Sequence, residues 1–151
     1  MPIVGNAKIQ SLEQTGNTIE DLCRKLQRNS KNNGVDIVDH LNVLHEGKVV
    51  RGGLTRIHAI STNRTFALRF KDVPEVIVSH NTELLCESGE WKCISLGLKP
   101  TDKITFIIDG TVQFKTVMEV IELTAPHRQY SLRVPSKGNY VLESGLVVRS
   151  D

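Results

Sequence analysis

Residues 64–70 of the chain read RTFALRF, and a similar stretch, RQYSLRV, stands at residues 128–134. The same offset relates apolar positions on either side: Ile57 to Ile121, and residues 76–78 to residues 140–142. Strand-like segments at one offset indicate a duplicated β-subdomain whose copies are related by a pseudo-two-fold axis. Such a duplication predicts a horseshoe that brings both ends of the chain together. The competing interpretation is a chance likeness between two strands.

Short candidate strands, separated by turn residues, surround the repeat. They are predicted at residues 48–51, 55–61, 65–70, 75–79, 83–86, 103–108, 112–123, 130–134, 139–142 and 146–149. Asp109-Gly110 and residues 87–89 are typical of hairpin turns, and residues 51–53 (RGG) also indicate a turn. Many short strands of this kind predict an all-β domain that protects its edges by curling.

One short helix is predicted near the start of the chain. Asn17-Thr18 can cap it, and two acidic residues suit the first turn of residues 19–26. The polar residues 27–34 then predict an exposed loop. The longest strand candidate, residues 112–123, could instead be helical, but its β-branched residues favour a long bent strand.

The composition bounds the function. The chain has 151 residues, which suits a single domain over residues 1–151, and 39% of them are hydrophobic. Its 19 Lys+Arg against 17 Asp+Glu argue against a strongly electrostatic partner as the default. No apolar run reaches the roughly 18 residues of a membrane span, and residues 1–5 lack the pattern of a secretory signal.

Three cysteines, Cys23, Cys86 and Cys93, match no metal or redox motif. Cys86 and Cys93 could face each other across a hairpin, but buried reduced thiols inside a cell are favoured. We therefore expect an intracellular protein, in the cytoplasm or in the host cell of a virus. The sequence shows no phosphate-binding loop and no metal-ligand spacing, so neither a cofactor nor a metal is expected. The aromatic side chains are expected in the core or packed on hairpins: Phe66, Phe70, Trp91, Phe106 and Phe114.

The middle of the chain carries the most specific motif. A strand at residues 75–79 leads into residues 81–92 (NTELLCESGEWK) and then residues 98–104 (LKPTDKI). Residues 1–9 (MPIVGNAKI) and residues 130–148 add matching segments at either end. Together these motifs resemble the Hint fold of inteins and hedgehog-type autoprocessing domains, over nearly the whole chain. The resemblance implies a horseshoe of two β-subdomains without a homing-endonuclease insertion.

The resemblance also implies where the reactive groups of splicing would stand. Met1 occupies the position of the nucleophilic Cys or Ser, and a thioether has no ionisable proton. Ser79 and Thr82 occupy the positions of the Thr and His that orient and polarise the first scissile amide. A hydroxyl cannot replace the His as a base near pH 7. His80, two residues before Thr82, could rescue part of that role if both share one strand face.

The motifs at the end of the chain depart from the family in the same way. Ser131 stands where many members have Asp, and Gly138 where many have His. Arg149 replaces the penultimate His, and Arg does not shuttle protons. Ser150 replaces the Asn that cyclises, and Asp151 is no substitute for the nucleophile that follows. A register one residue later would make Asp151 the terminal residue, which lacks the amide nitrogen of Asn.

Three functional hypotheses follow. The first is a degenerate intein-like domain, inactive in splicing and retained as a structural or inserted module, whose partners are the flanking segments of its host protein. The second is an autoprocessing domain with residual activity through Ser79, His80 or a cysteine. The third is a nucleic-acid or protein interaction module using the basic loop 24–52, although that segment lacks aromatic residues to stack on bases.

Overall fold

The computed structural model describes residues 2–4, 18–19, 38–54, 56–60, 64–124, 129–134 and 138–150. Thirteen strands lie within these ranges: β1 Pro2–Val4, β2 Val38–His45, β3 Lys48–Leu54, β4 Arg56–Ile60, β5 Thr65–Phe70, β6 Val73–Ser79, β7 Leu84–Leu85, β8 Trp91–Lys92, β9 Lys103–Ile108, β10 Thr111–Leu123, β11 Gln129–Arg133, β12 Asn139–Val141 and β13 Val147–Arg149. A single 3-10 turn, Ile94–Leu96, interrupts them. The all-β fold class is confirmed.

The largest sheet reveals the internal duplication. Its seven strands run in the order β4-β11-β1-β6-β5-β10-β9. The strands β1 and β6 lie at the centre of this order. On either side of them, β11 takes the place that corresponds to β5, and β4 takes the place that corresponds to β10, and these are the pairs related by the sequence offset. Ile57 pairs with Leu132, and its counterpart Ile121 pairs with Ala67, one residue from the position that strict symmetry would give. The pseudo-two-fold arrangement of the repeat is thereby confirmed.

Two smaller sheets complete the described structure. One contains β12-β13-β7-β8 and the other is the β2–β3 hairpin. Isolated bridges from Cys86 to Ile104 and from Phe106 to Leu146 tie the four-stranded sheet to β9. β9 is the edge strand of the seven-stranded sheet. The bridges cover its outer edge, which would otherwise be open to pairing with other strands.

The main core lies between these sheets. Phe70 and Phe106 meet there edge to face, with ring centroids 4.8 Å apart, and Phe66 is also buried. Trp91 is half-buried and packs against a second cluster formed by Ile107, Val141 and Val147. Phe114 is the exception: it is 48% exposed on β10, so its prediction as a packing residue was wrong. Its neighbours on β10, Gln113 and Lys115, are partly buried, and strand alternation turns Phe114 to the opposite face.

Two predictions between residues 24 and 52 need correction. Gly52 and Gly53 lie inside β3 and form no turn, and the chain reverses instead at Glu46-Gly47, where both residues have positive φ. Gly52 is buried so closely that a Cβ there would stand 2.7 Å from Val43 Cγ1. From residue 38 onward the proposed basic loop is therefore a β-hairpin. Within residues 38–52, two Lys+Arg residues balance two Asp+Glu residues.

The other local predictions agree with the structure where it is described. Asp109 and Gly110 take positive φ values of 52° and 73°, as a tight hairpin turn requires, and Gly89 closes the β7–β8 turn. The long strand β10 is confirmed, with an irregularity in register between Val117 and Glu119 that bends it. Of the predicted helix 19–26 only Ile19 is described, and the rest lies outside the described residues. No helix in the described ranges is long and apolar enough to cross a membrane.

Thr101 is held in a backbone conformation that suits glycine. Its φ is 81°, and left-handed backbone costs an L-residue about 1–2 kcal/mol. We expect Thr101→Gly to stabilise the protein by about 0.5–1 kcal/mol, because the relief of strain exceeds the added freedom of the unfolded chain. Urea unfolding would measure the change. Thr111→Gly, at an ordinary strand position, should instead destabilise, and equal effects of both changes would contradict the assignment of strain to Thr101.

Candidate functional site

A tight turn follows β6 and gathers three polar side chains. The Thr82 N–H donates to the Ser79 carbonyl at 3.3 Å, which closes the turn. The hydroxyl oxygens of Ser79 and Thr82 lie 2.9 Å apart, and Thr82 Oγ1 also accepts from the Ser79 N–H at 3.0 Å. The Ser79 hydroxyl lies 2.6 Å from Asn81 Oδ1, to which it can donate. Ser79 and Thr82 are 0% and 1% exposed, so the hydroxyl pair is buried, whereas Asn81 is partly exposed.

The first strand and the last strand of the chain both meet this turn. Ile3 pairs with Val78, which places Pro2 level with Ser79 in the antiparallel register. Val148 pairs with Leu84, and the Arg149 N–H donates to the Glu83 carbonyl at 3.1 Å. The turn therefore lies between the two terminal strands. This is the convergence of chain ends that the duplication predicts. Met1 and Asp151 lie outside the described residues.

The Thr82 hydroxyl in this turn is not suited to act as a general base. Thr82 offers a hydroxyl that already accepts one hydrogen bond and shares another, and hydroxyls do not take up protons near neutral pH. The chain leaves β6 after Ser79, so strand alternation does not extend to His80, and the prediction that His80 and Thr82 share a strand face was wrong. Thr82 instead folds back onto Ser79.

His80 is anchored through its backbone beside this turn. Its N–H donates to the Arg64 carbonyl at 3.1 Å, and its carbonyl accepts from the Ser95 N–H at 2.9 Å. The imidazole Nδ1 is buried and has no hydrogen-bond partner among the residues that the structure describes. The Ser79 hydroxyl is directed to Asn81 and Thr82, not to this nitrogen.

Arg149 and Ser150, at the end of the C-terminal strand, both make contacts with neighbouring segments. Arg149 Nη1 lies 2.7 Å from Glu83 Oε2, and the guanidinium stacks over the Trp91 ring at 5.9 Å from its centroid. Ser150 is 7% exposed, and its hydroxyl lies 3.4 Å from the Val134 carbonyl. These contacts hold β13 in place. Neither side chain can form a cyclic imide, and the guanidinium of Arg149 does not shuttle protons.

Gly138 and Ser131 complete the predicted set. Gly138 has φ of 74°, its N–H donates to the Val134 carbonyl, and its carbonyl accepts from the Ser150 N–H. Nothing described lies within 4 Å of a Cβ built at this glycine, so its backbone conformation, not a lack of space, disfavours a side chain there. Ser131 lies on β11 with its backbone opposite Pro2. The structure thus brings Ser79, Thr82, Gly138, Arg149 and Ser150 to one junction, with Ser131 on the strand next to β1.

Two asparagines at the junction escaped sequence reasoning. Asn81 accepts the Ser79 hydroxyl, and Asn139 clamps the β2–β3 hairpin through the backbone of Leu44. Asn139 Oδ1 accepts from the Leu44 N–H and its Nδ2 donates to the Leu44 carbonyl, both at 2.8 Å. Asn139 lies 95 residues from its partner in the sequence, so no local pattern could have revealed the clamp.

Removing the Asn139 clamp should destabilise the hairpin. Asn139→Ala leaves a part-buried N–H and C=O of Leu44 without their side-chain partner, and we expect a loss of about 2 kcal/mol. Hydrogen exchange at the Leu44 amide should accelerate together with the fall in urea midpoint. Asn139→Asp, which keeps the acceptor for Leu44 N–H and loses the donor, serves as the comparison. Unchanged exchange at Leu44 in Asn139→Ala would contradict the role of the clamp.

Two cysteines near the junction are free and buried. Cys86 precedes the β7–β8 turn, and burial raises the pKa of its thiol above the ordinary value. The thiol of Cys93 lies 3.2 Å from the Ser95 hydroxyl. The prediction of reduced buried thiols is confirmed for these two, and Cys23 lies outside the described residues. A thiol with a raised pKa is a poor nucleophile near neutral pH.

Solved structures share this arrangement, in which a duplicated β-sheet places β1 and β13 beside one buried turn. A KlbA intein precursor from Methanococcus jannaschii is 14% identical, with a TM-score of 0.82 over 100% of this chain and 92% of that chain. A DnaB intein from Synechocystis sp. PCC 6803 is 18% identical, with a TM-score of 0.79 over 99% and 98% of the two chains. The TvoVMA intein is 18% identical, with a TM-score of 0.74 over 97% and 95%.

The chain therefore has the Hint fold of inteins, as the resemblance implied. No protein-family model and no curated protein matches the sequence. At these identities the likeness concerns the fold, so any reaction has to be argued from the side chains of the junction.

Proposed function

We propose that the protein is a degenerate intein-like domain that does not splice and serves as a structural or inserted module of a larger protein. The observation that carries this proposal is the buried hydroxyl pair of the Ser79–Thr82 turn. The resemblance to inteins assigns these two residues to the positions of the Thr and His of an active junction. The hydroxyls satisfy each other, and neither is a base near pH 7.

The C-terminal side supports the same conclusion. Cyclisation needs the side-chain amide nitrogen of Asn at the terminal position, and Ser150 or, in the later register, Asp151 supplies none. Arg149 forms an ion pair with Glu83 and stacks over the Trp91 ring. The attacking group and the cyclising group act in successive steps of one reaction, and the loss of either alone lowers a rate by orders of magnitude. A chain that lacks both is therefore expected not to splice.

The experiment places the chain between two folded carrier proteins through short native-like spacers. We expect one intact precursor by gel electrophoresis after days at neutral pH, both with and without added thiol or hydroxylamine. Ligated carriers, or either carrier released alone, would contradict the proposal. Release of only one carrier would also identify which junction retains activity.

One observation favours a second candidate, an autoprocessing domain of residual activity. The buried Nδ1 of His80 has no hydrogen-bond partner among the described residues, and an unpaired imidazole nitrogen beside a junction could accept a proton during cleavage. This candidate requires slow cleavage of the same precursor that is lost in His80→Ala and retained in Ser95→Ala, which leaves the imidazole unchanged. A precursor that stays intact excludes it.

A further inference from the structure

A cavity separate from the junction opens between the β7–β8 turn and the loop that leads into β9. Its volume is about 400 Å³, near the lower end of ligand pockets. The lining comes from residues 86–88, Lys92 and residues 101–103, and none of these belongs to the junction described above. The Glu87 N–H donates to the Lys103 carbonyl at 3.0 Å, which fixes the two walls relative to each other.

The cavity contains two ion pairs whose charged atoms are too far apart to form a hydrogen bond. Lys92 Nζ lies 3.9 Å from Asp102 Oδ1, and Lys103 Nζ lies 3.8 Å from Glu87 Oε2. Both separations exceed hydrogen-bond length, so the ammonium groups keep donors to offer. Asp102 Oδ2 accepts from the Lys99 N–H at 3.0 Å, which fixes the carboxylate and turns Oδ1 toward Lys92. Lys92 and Asp102 are 32% and 14% exposed, so this pair sits inside the opening.

Two further side chains of the lining make no hydrogen bond with the described residues. The Cys86 thiol is buried, with the residue 5% exposed, and Thr101 is an exposed residue of the lining. Thr101 is also the residue held at φ of 81°, where glycine would be free of strain. Strained backbone is retained where the surroundings or a function require it. A hydroxyl donor at the mouth of a charged cavity provides such a reason.

We propose that this cavity binds a small zwitterion with one carboxylate and one ammonium, of amino-acid or dipeptide size. The carboxylate is placed against Lys92 and the Thr101 hydroxyl, and the ammonium against Glu87 and Asp102 Oδ1, which makes no hydrogen-bond-length contact with Lys92. Two cations and two anions around one opening complement a ligand of both charges better than a simple anion, which either carboxylate would repel. The buried Cys86 thiol forms a weakly polar floor.

The test is a titration of the full chain, labelled with nitrogen-15, with glycylglycine. We expect saturable shifts of the amide signals of residues 86–88 and 101–103. N-acetylglycylglycine amide, which has the same backbone and no charges, should leave them unmoved. Lys92→Met keeps the aliphatic stem and removes the ammonium, so it should weaken binding about tenfold or more. Lys99→Met, an exposed lysine outside the lining, is the matched control and should bind unchanged.

Thr101→Gly separates loss of binding from loss of folding. We expect it to weaken glycylglycine binding severalfold while it raises the melting temperature, a combination that damage to the fold would not produce. The proposal is overturned if glycylglycine gives no saturable shifts, if the uncharged dipeptide gives the same ones, or if Lys92→Met binds like Lys99→Met. It does not depend on the proposed loss of splicing, because the titration uses the chain without carriers.

Discussion

A chain that carries Met1→Cys and Thr82→His together should release an N-terminal carrier to free thiol at least about a thousandfold faster than the unmodified chain. The thiol introduced at position 1 would attack the preceding carbonyl, and the peptide nitrogen would leave with a proton. The resulting thioester would then pass the carrier to the added thiol. Position 82 suits this role because its side chain already hydrogen-bonds within the turn that Pro2 flanks.

The single changes distinguish the contributions of the two positions. Met1→Cys alone supplies the nucleophile but leaves a hydroxyl at position 82, so we expect release far slower than in the double variant. Thr82→His alone should release nothing. Thr82 is 1% exposed, and a larger side chain strains a packed site, so near-ultraviolet circular dichroism should first confirm that each variant is folded. Equal release by Met1→Cys and by the double variant would show that the Ser79–Thr82 hydroxyls suffice.

Gly145→Ala should be among the most destabilising single changes in the described core, at about 3 kcal/mol. Gly145 has φ of 98°, and a Cβ there would stand 2.7 Å from the carbonyl oxygen of Ile107. The same backbones are joined by the Ile107 N–H, which donates to the Gly145 carbonyl at 2.7 Å. The methyl group can be accommodated only if two buried backbone segments move apart. Strain of the backbone adds about 1–2 kcal/mol to that rearrangement.

Gly47→Ala provides the matched control for this change. Gly47 also has positive φ, at 75°, but nothing described lies within 4 Å of its built Cβ. The loss of folding stability in Gly47→Ala should therefore reflect the backbone conformation alone and amount to about 1 kcal/mol. Thermal unfolding would show a fall of roughly 10 °C for Gly145→Ala and a few degrees for Gly47→Ala. Similar falls for both variants would contradict the close approach of Gly145 to Ile107.

The sequence predicted the sheet better than it predicted the hairpin beside it. β5 and β9 were predicted with their observed bounds because each is rich in aromatic or β-branched residues and is bounded by turn residues. β2 was missed because polar residues at positions 39, 40, 42 and 45 break its alternation, and the tertiary contact through Asn139 supplies what local preference lacks. Gly52 was predicted in a turn because the sequence alone does not distinguish a glycine required by close packing from one required by positive φ.

The sequence indicated which candidate residues lie near one another, but not how they are bonded. The motif spacing located Ser79, Thr82, Arg149 and Ser150, and the structure gathers them at one junction. The spacing could not show that Thr82 folds back onto Ser79, because strand alternation ends with β6. Nor could it show that Arg149 is held by Glu83, a contact across 66 residues of sequence. Both features depend on strand register, which the duplication implies only approximately.

The intact mass of the precursor with a carrier at each end tests the central claim most directly. After prolonged incubation at neutral pH with hydroxylamine, which cleaves esters and thioesters faster than amides, the unmodified chain should give the full precursor mass alone. That result follows if hydroxyls have replaced the reactive groups at the Ser79–Thr82 junction. A mass equal to the two carriers joined, or to either carrier released at its junction, would contradict the account.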